Sequence, residues 1–70
     1  MKLYILVEVY QLIVSGIYVS TDLEKVKARF KEFTGVDYDE YSRFIEEDEN
    51  ITAEEVLGDY DQTKIFEFNL

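Results

Sequence analysis

The chain has no cysteine, histidine, tryptophan or proline. Without cysteine there is no disulfide framework, no thiol nucleophile and no thiolate zinc site. Without histidine the commonest general base and the commonest transition-metal ligand are gone. Basic residues are scarce: seven Lys and Arg stand against sixteen Asp and Glu, a net charge of −9. That sign argues against direct binding to nucleic acid, which needs a basic surface to displace counterions. Long apolar runs are missing too. Leu3–Val7 is too short to cross a bilayer, so no membrane association is expected.

What is present reads as one small globular domain. Seventy residues with 47 % hydrophobic and 16 % aromatic content can build a core, though a thin one. Met1-Lys2 followed by apolar residues has the outline of a signal peptide, but Glu8 interrupts it and no small-residue cleavage site follows. The expectation is a soluble, cytoplasmic protein, because an unstapled secreted domain of this size is uncommon.

Residues 3–10 alternate, with Leu3, Ile5, Val7 and Val9 on one face and Tyr4, Leu6, Glu8 and Tyr10 on the other. A second strand follows at 13–19, joined through Tyr10-Gln11-Leu12, which lacks the Asn-Gly signature of a tight hairpin. Gly16 marks a bulge or a close backbone approach. Thr21-Asp22-Leu23-Glu24 has capping-box spacing with Thr21 as the cap. Leu23, Val26, Phe30 and Phe33 then form a helical stripe ended by Gly35, predicting a helix over 22–34. Asp37 caps a second, shorter helix with Tyr41, Phe44 and Ile45 as its apolar stripe, and Thr52 caps a third that Gly58 ends. Residues 64–70 alternate again as a closing strand.

This order predicts an α+β fold: a three-stranded antiparallel sheet in order 2-1-3, with one main helix and short acidic helices. The chain divides into a hairpin plus helix (1–36), an acidic helical segment (37–61) and the last strand (62–70). One helical layer covers only one side of such a sheet. Glu8 points to Tyr4, Leu6 and Tyr10, with Tyr18 beside them, as the uncovered side. Either the acidic helices wrap round to cover that side, or its rings stand singly exposed, or it is an interface for a homodimer or another partner.

The charge is segregated. Residues 37–61 hold eleven acidic residues and only Arg43, a net charge of −10, while the rest of the chain is near neutral. The eleven are Asp37, Asp39, Glu40, Glu46, Glu47, Asp48, Glu49, Glu54, Glu55, Asp59 and Asp61, interleaved with Tyr38 and Tyr41. Three readings compete. The stretch is a solvated face helped by helix dipoles, a docking surface for a host protein with a basic groove, or a hard-cation site. An EF-hand loop begun at Asp59 puts Lys64 at the required glycine and Leu70 at the required glutamate, so no metal or other cofactor is expected. Catalysis is not expected either, since there is no nucleophile–base pair and no Gly-rich phosphate loop.

Met1-Lys2-Leu3-Tyr4-Ile5-Leu6, the run Gly16-Ile17-Tyr18-Val19-Ser20-Thr21 leading into Glu24-Lys25-Val26, and Phe66-Glu67-Phe68 together carry a resemblance. The chain resembles small ββαβ proteins of phages and prophages of Gram-positive bacteria. It departs from them in its acidic middle segment and its shorter, glycine-free first turn. That group has no single known activity, so no functional residue carries over. The resemblance implies a phage accessory protein, and small acidic phage proteins often look like inhibitors of host nucleic-acid machinery, anti-CRISPR and anti-restriction proteins among them. The expectation is a non-enzymatic acidic inhibitor of the nucleic-acid-mimic type. The alternative is a homo-oligomeric module joined through the open sheet face.

Overall fold

The computed structural model describes residues 1–70. Its elements are β1 (Lys2–Tyr10), β2 (Ile13–Ser20), α1 (Leu23–Thr34), α2 (Tyr38–Glu47), α3 (Ala53–Leu57), a single 3-10 turn at Gly58–Tyr60, and β3 (Lys64–Asn69). The sheet is antiparallel in order β2-β1-β3, so the fold is α+β with β1 central, as the strand patterns imply. No helix is long and apolar enough to cross a membrane.

The hairpin closes on two residues despite having no glycine there. Gln11 and Leu12 take φ of 49° and 67°, left-handed values at both turn positions. This is the geometry that matches the right-handed twist of the flanking strands. It is costly for side chains with a Cβ. A tertiary bond offsets the cost: the Gln11 amide donates to the Asp59 carbonyl at 2.9 Å.

Helix α1 starts one residue later than Thr21 capping would place it. Asp22 is the cap, and its carboxylate accepts from the Glu24 amide at 3.0 Å. The Ser20 hydroxyl accepts from the Asp22 amide at 3.0 Å and holds the turn. Of two adjacent capping candidates, the carboxylate is the better acceptor. Asp22→Ala is therefore expected to cost about 1 kcal/mol, whereas Thr21→Ala stays within roughly 0.5 kcal/mol as a surface change. Thermal melts of the two variants check this, and the reverse order would return the cap to Thr21. The other ends follow the sequence reading. Gly35 closes α1 at φ 78°, Asp37 accepts from the Glu40 amide, and Thr52 accepts from the Glu55 amide.

The core lies on the opposite side of the sheet from the one the alternation suggests. Leu6, Val26, Phe30 and Leu57 form the buried cluster, with Tyr4, Tyr18, Val36, Tyr38, Tyr41, Val56, Tyr60 and Ile65 packed around it. The even-numbered residues of β1 therefore face the helices. Leu6 sits between Tyr18 on β2 and Ile65 on β3.

Glu8 is what reverses the expectation. A carboxylate on the helix side must be paired, and this one is: Arg29 of α1 reaches it with Nε 3.4 Å from Oε2 and a terminal nitrogen 3.5 Å from Oε1. The same guanidinium lies 5.4 Å from the Tyr18 ring centroid. Arg29 thus has a structural partner and is not simply a solvated residue of α1. Gly16, opposite Glu8, leaves the space the carboxylate fills; a Cβ there would lie 2.7 Å from Oε1. The register shift next to this pair is the bulge that Gly16 signals.

Thr63 completes the frame. It is buried, and its hydroxyl accepts from the Val9 amide and donates to the Val9 carbonyl, both at 3.0 Å. β3 pairs with β1 only as far as Val7. The Thr63 side chain continues the ladder where the backbone of β3 has already turned away.

Candidate functional site

The acidic segment folds into the outer part of the helical layer. Along α2, Tyr38, Tyr41 and Ile45 recur at helical spacing and face inward. Asp39, Glu40, Glu46 and Glu47 consequently fall on the outer face. Glu54 and Glu55 occupy the first turn of α3, where the helix dipole favours them. Asp59 and Asp61 flank the end of the 3-10 turn. Nine of the eleven carboxylates are exposed, and Asp37 and Asp61 are half-buried.

Internal neutralisation accounts for one of these charges. Asp39 lies 2.9 Å from Lys27 Nζ, and its hydrogen bond holds that ammonium above its ordinary pKa. The remaining ion pairs, Lys2–Glu67, Lys27–Glu24 and Arg29–Glu8, involve no residue of the segment. Ten of the eleven acidic residues therefore have no basic partner in the fold. Four of the ten, Glu46, Glu47, Asp48 and Glu49, lie at the C-terminal end of α2, which has no basic residue in its last turn. Negative charge there opposes the helix dipole. Asp48 recovers a little by accepting from the Asn50 amide at 2.9 Å.

The two tyrosines assigned to partner binding are packing residues. The Tyr38 ring meets Phe30 edge-on at 4.9 Å, and Tyr41 lies 5.8 Å from the same ring. Burial, followed by the nearby Tyr38 and Asp61, pushes the Tyr41 phenol pKa up. Alternation of aromatics with acids along the segment suggests display of both. Helical geometry separates the two sets onto opposite faces. The aromatic that the segment does display is Phe44, which is 46 % exposed and which the periodicity assigned to the buried stripe.

No enclosed cleft is present. The largest depression, about 410 Å³, opens between the hairpin turn and α3 and is lined by Gln11, Leu12, Glu54, Gly58, Asp59 and Asp61. No three acidic residues converge closely enough to share a cation.

The second candidate surface is the sheet face away from the helices, and here the residues differ from those the alternation proposed. Leu6 is fully buried, and Tyr4 and Tyr18 pack against its cluster. The Tyr10 ring lies 5.1 Å from Tyr60, under the 3-10 turn. None of the four lies on the open face. The face is built instead from Leu3, Ile5 and Val7 of β1, Ile17 and Val19 of β2, and Phe66 and Phe68 of β3. Register places them in rows: Val19, Ile5 and Phe66 across the sheet, with Ile17 beside Val7 and Phe68 beside Leu3. Ile17 is 65 % exposed, Val19 52 %, Phe66 44 % and Phe68 49 %. The signal lay in Phe66 and Phe68, two phenylalanines alternating with Glu67 and Asn69 in the last strand. Assigning their face required the register. Comparison with protein-family models, with curated proteins and with solved structures returned no match at the level that supports relatedness.

Proposed function

We propose that this chain is a non-enzymatic binding protein whose acidic helical layer docks on a basic, nucleic-acid-binding groove of a host protein and blocks it. One observation carries the reading: ten acidic residues of the segment lack a basic partner, and four of them stand where the helix dipole disfavours them. The four at the end of α2 gain the fold neither an ion pair nor a favourable dipole, so a role in binding accounts for them where local stability does not. Held on short helices and largely exposed, the ten present a fixed pattern of negative charge. Such a pattern attracts the lysines and arginines that otherwise neutralise phosphates. Phe44, exposed beside them, adds an apolar contact of the kind that anchors interfaces. The resemblance of Met1–Leu6 and Gly16–Thr21 to small phage proteins supports a phage accessory role inside the bacterial host's cytoplasm, of the anti-CRISPR or anti-restriction type.

The test reverses Glu46, Glu47, Asp48 and Glu49 to Lys together. Proteins captured from a bacterial lysate by the wild-type chain are expected to be released as salt rises, because exposed charge pairs are screened. Duplex DNA is expected to compete with them, and the reversed variant to lose them. A capture indifferent to the reversal, to salt or to DNA removes the reading. The four sites are exposed, so the variant keeps its fold, and a matching circular dichroism spectrum controls for that.

A further inference from the structure

We infer that the open sheet face is the contact surface of a homodimer in which two copies pack face to face into a six-stranded sandwich. The inference is independent of what the acidic layer binds.

Area comes first. Ile17, Val19, Phe66 and Phe68 are each about half exposed or more, and β1 adds the partly exposed Ile5 between them. At roughly 150–250 Å² per large side chain, the face with its half-buried β1 residues presents on the order of 500 Å² of apolar surface. The largest apolar patch of a monomer is about 300–600 Å², so this face sits at the upper end of what a free monomer leaves in water. A standard interface takes about 800 Å² from each partner. The strand ends supply the difference, since Val14, Met1 and Leu70 are all more than half exposed.

Shape and charge then select a second copy as the occupant. Two sheets twisted in the same sense pack face to face at about 30°, with side chains interdigitating about 10 Å apart. The β-branched and phenyl rows of this face are of the kind that forms a sandwich core. A twofold axis makes the contact self-complementary and closed, leaving no surface for further growth. A chain of net charge −9 repels its own copies over most of its surface. The open face is the exception. Lys64, paired with Val7 in the register, is the charged residue on it, and every carboxylate of the segment belongs to the helical layer on the other side. With layers spaced about 10 Å apart, the two acidic layers of the dimer stand roughly 30 Å from one another, well beyond the screening length of about 8 Å. The dimer would thus carry two outward acidic surfaces.

Sedimentation equilibrium and multi-angle light scattering of the whole chain test the inference. The expected result is twice the 8.3 kDa chain mass at micromolar concentration. Ile17→Lys and Phe68→Lys are each expected to weaken the dimer by a factor of about 30 or more, as loss of an interface anchor does, while the circular dichroism spectrum stays that of the wild type. Because both side chains are about half exposed or more, neither variant is needed to fold the monomer. A strict monomer at 100 µM overturns the inference. So does a dimer that survives both substitutions but is broken by Ser15→Pro in the edge strand β2, which would indicate edge-to-edge pairing. A monomer that instead binds anionic or neutral lipid vesicles, or a foreign protein, through Ile17 and Phe68 also overturns it.

Discussion

Leu6→Glu is expected to unfold the domain. Leu6 is fully buried at the centre of β1, flanked by Tyr18 and Ile65 and clustered with Val26, Phe30 and Leu57. Removing the leucine from such a site costs about 2–5 kcal/mol. The carboxylate that replaces it adds a further penalty of several kcal/mol, because it is placed among the apolar side chains of Val26, Phe30 and Leu57. Arg29, the guanidinium that α1 brings to the sheet, is already engaged with Glu8. A domain of seventy residues holds roughly 4–10 kcal/mol in all. The variant should therefore show no cooperative thermal transition, whatever the oligomeric state. The alternation of β1 taken by itself puts Leu6 on an interface and expects the same substitution to yield a folded monomer. A Leu6→Glu protein that melts like the wild type would mean that the helices cover the other face.

Thr63→Val should cost about 2–4 kcal/mol. The substitution preserves shape and removes one hydroxyl. That hydroxyl satisfies both polar groups of Val9, and it does so in a place closed to solvent. Each buried group left unsatisfied costs about 1–3 kcal/mol. Thr63→Ser keeps the hydroxyl and loses a methyl, so its loss should stay near 1 kcal/mol. Urea denaturation of the pair measures the difference. Equal stability of the two variants would show that water reaches Val9 and that the hydroxyl holds nothing. The effect exceeds that of the Asp22 cap because a capping group at the surface can be replaced by water.

The strands, the three helices, the Gly35 and Gly58 terminations and the order 2-1-3 are written in local pattern and loop connectivity. Periodicity and capping act over a few residues, and those signals survive folding. The identity of the inner face does not reside in any such window. β1 is apolar on both sides, and its single charge was the natural marker of the wet one. An arginine twenty-one residues away reverses that marker by pairing with Glu8 above a glycine. The one-residue alternation then moves every β1 side chain to the other face, and the interface residues with it. Thr63 is the same kind of case. Nothing around it in the sequence announces that its hydroxyl will serve a strand fifty-four residues earlier.

The absences with which the sequence begins retain their meaning. A chain without histidine or cysteine, with net charge −9 concentrated between residues 37 and 61, has no side chain for thiol or imidazole chemistry. That much, and the α+β element order, the sequence determined alone, because charge balance and local periodicity are additive along a chain. Tertiary structure decided which carboxylates are neutralised, which tyrosines are packing and which sheet face stays open. These depend on pairings between residues far apart, Glu8 with Arg29, Asp39 with Lys27 and Val9 with Thr63, and such pairings exist only once the sheet and helices meet.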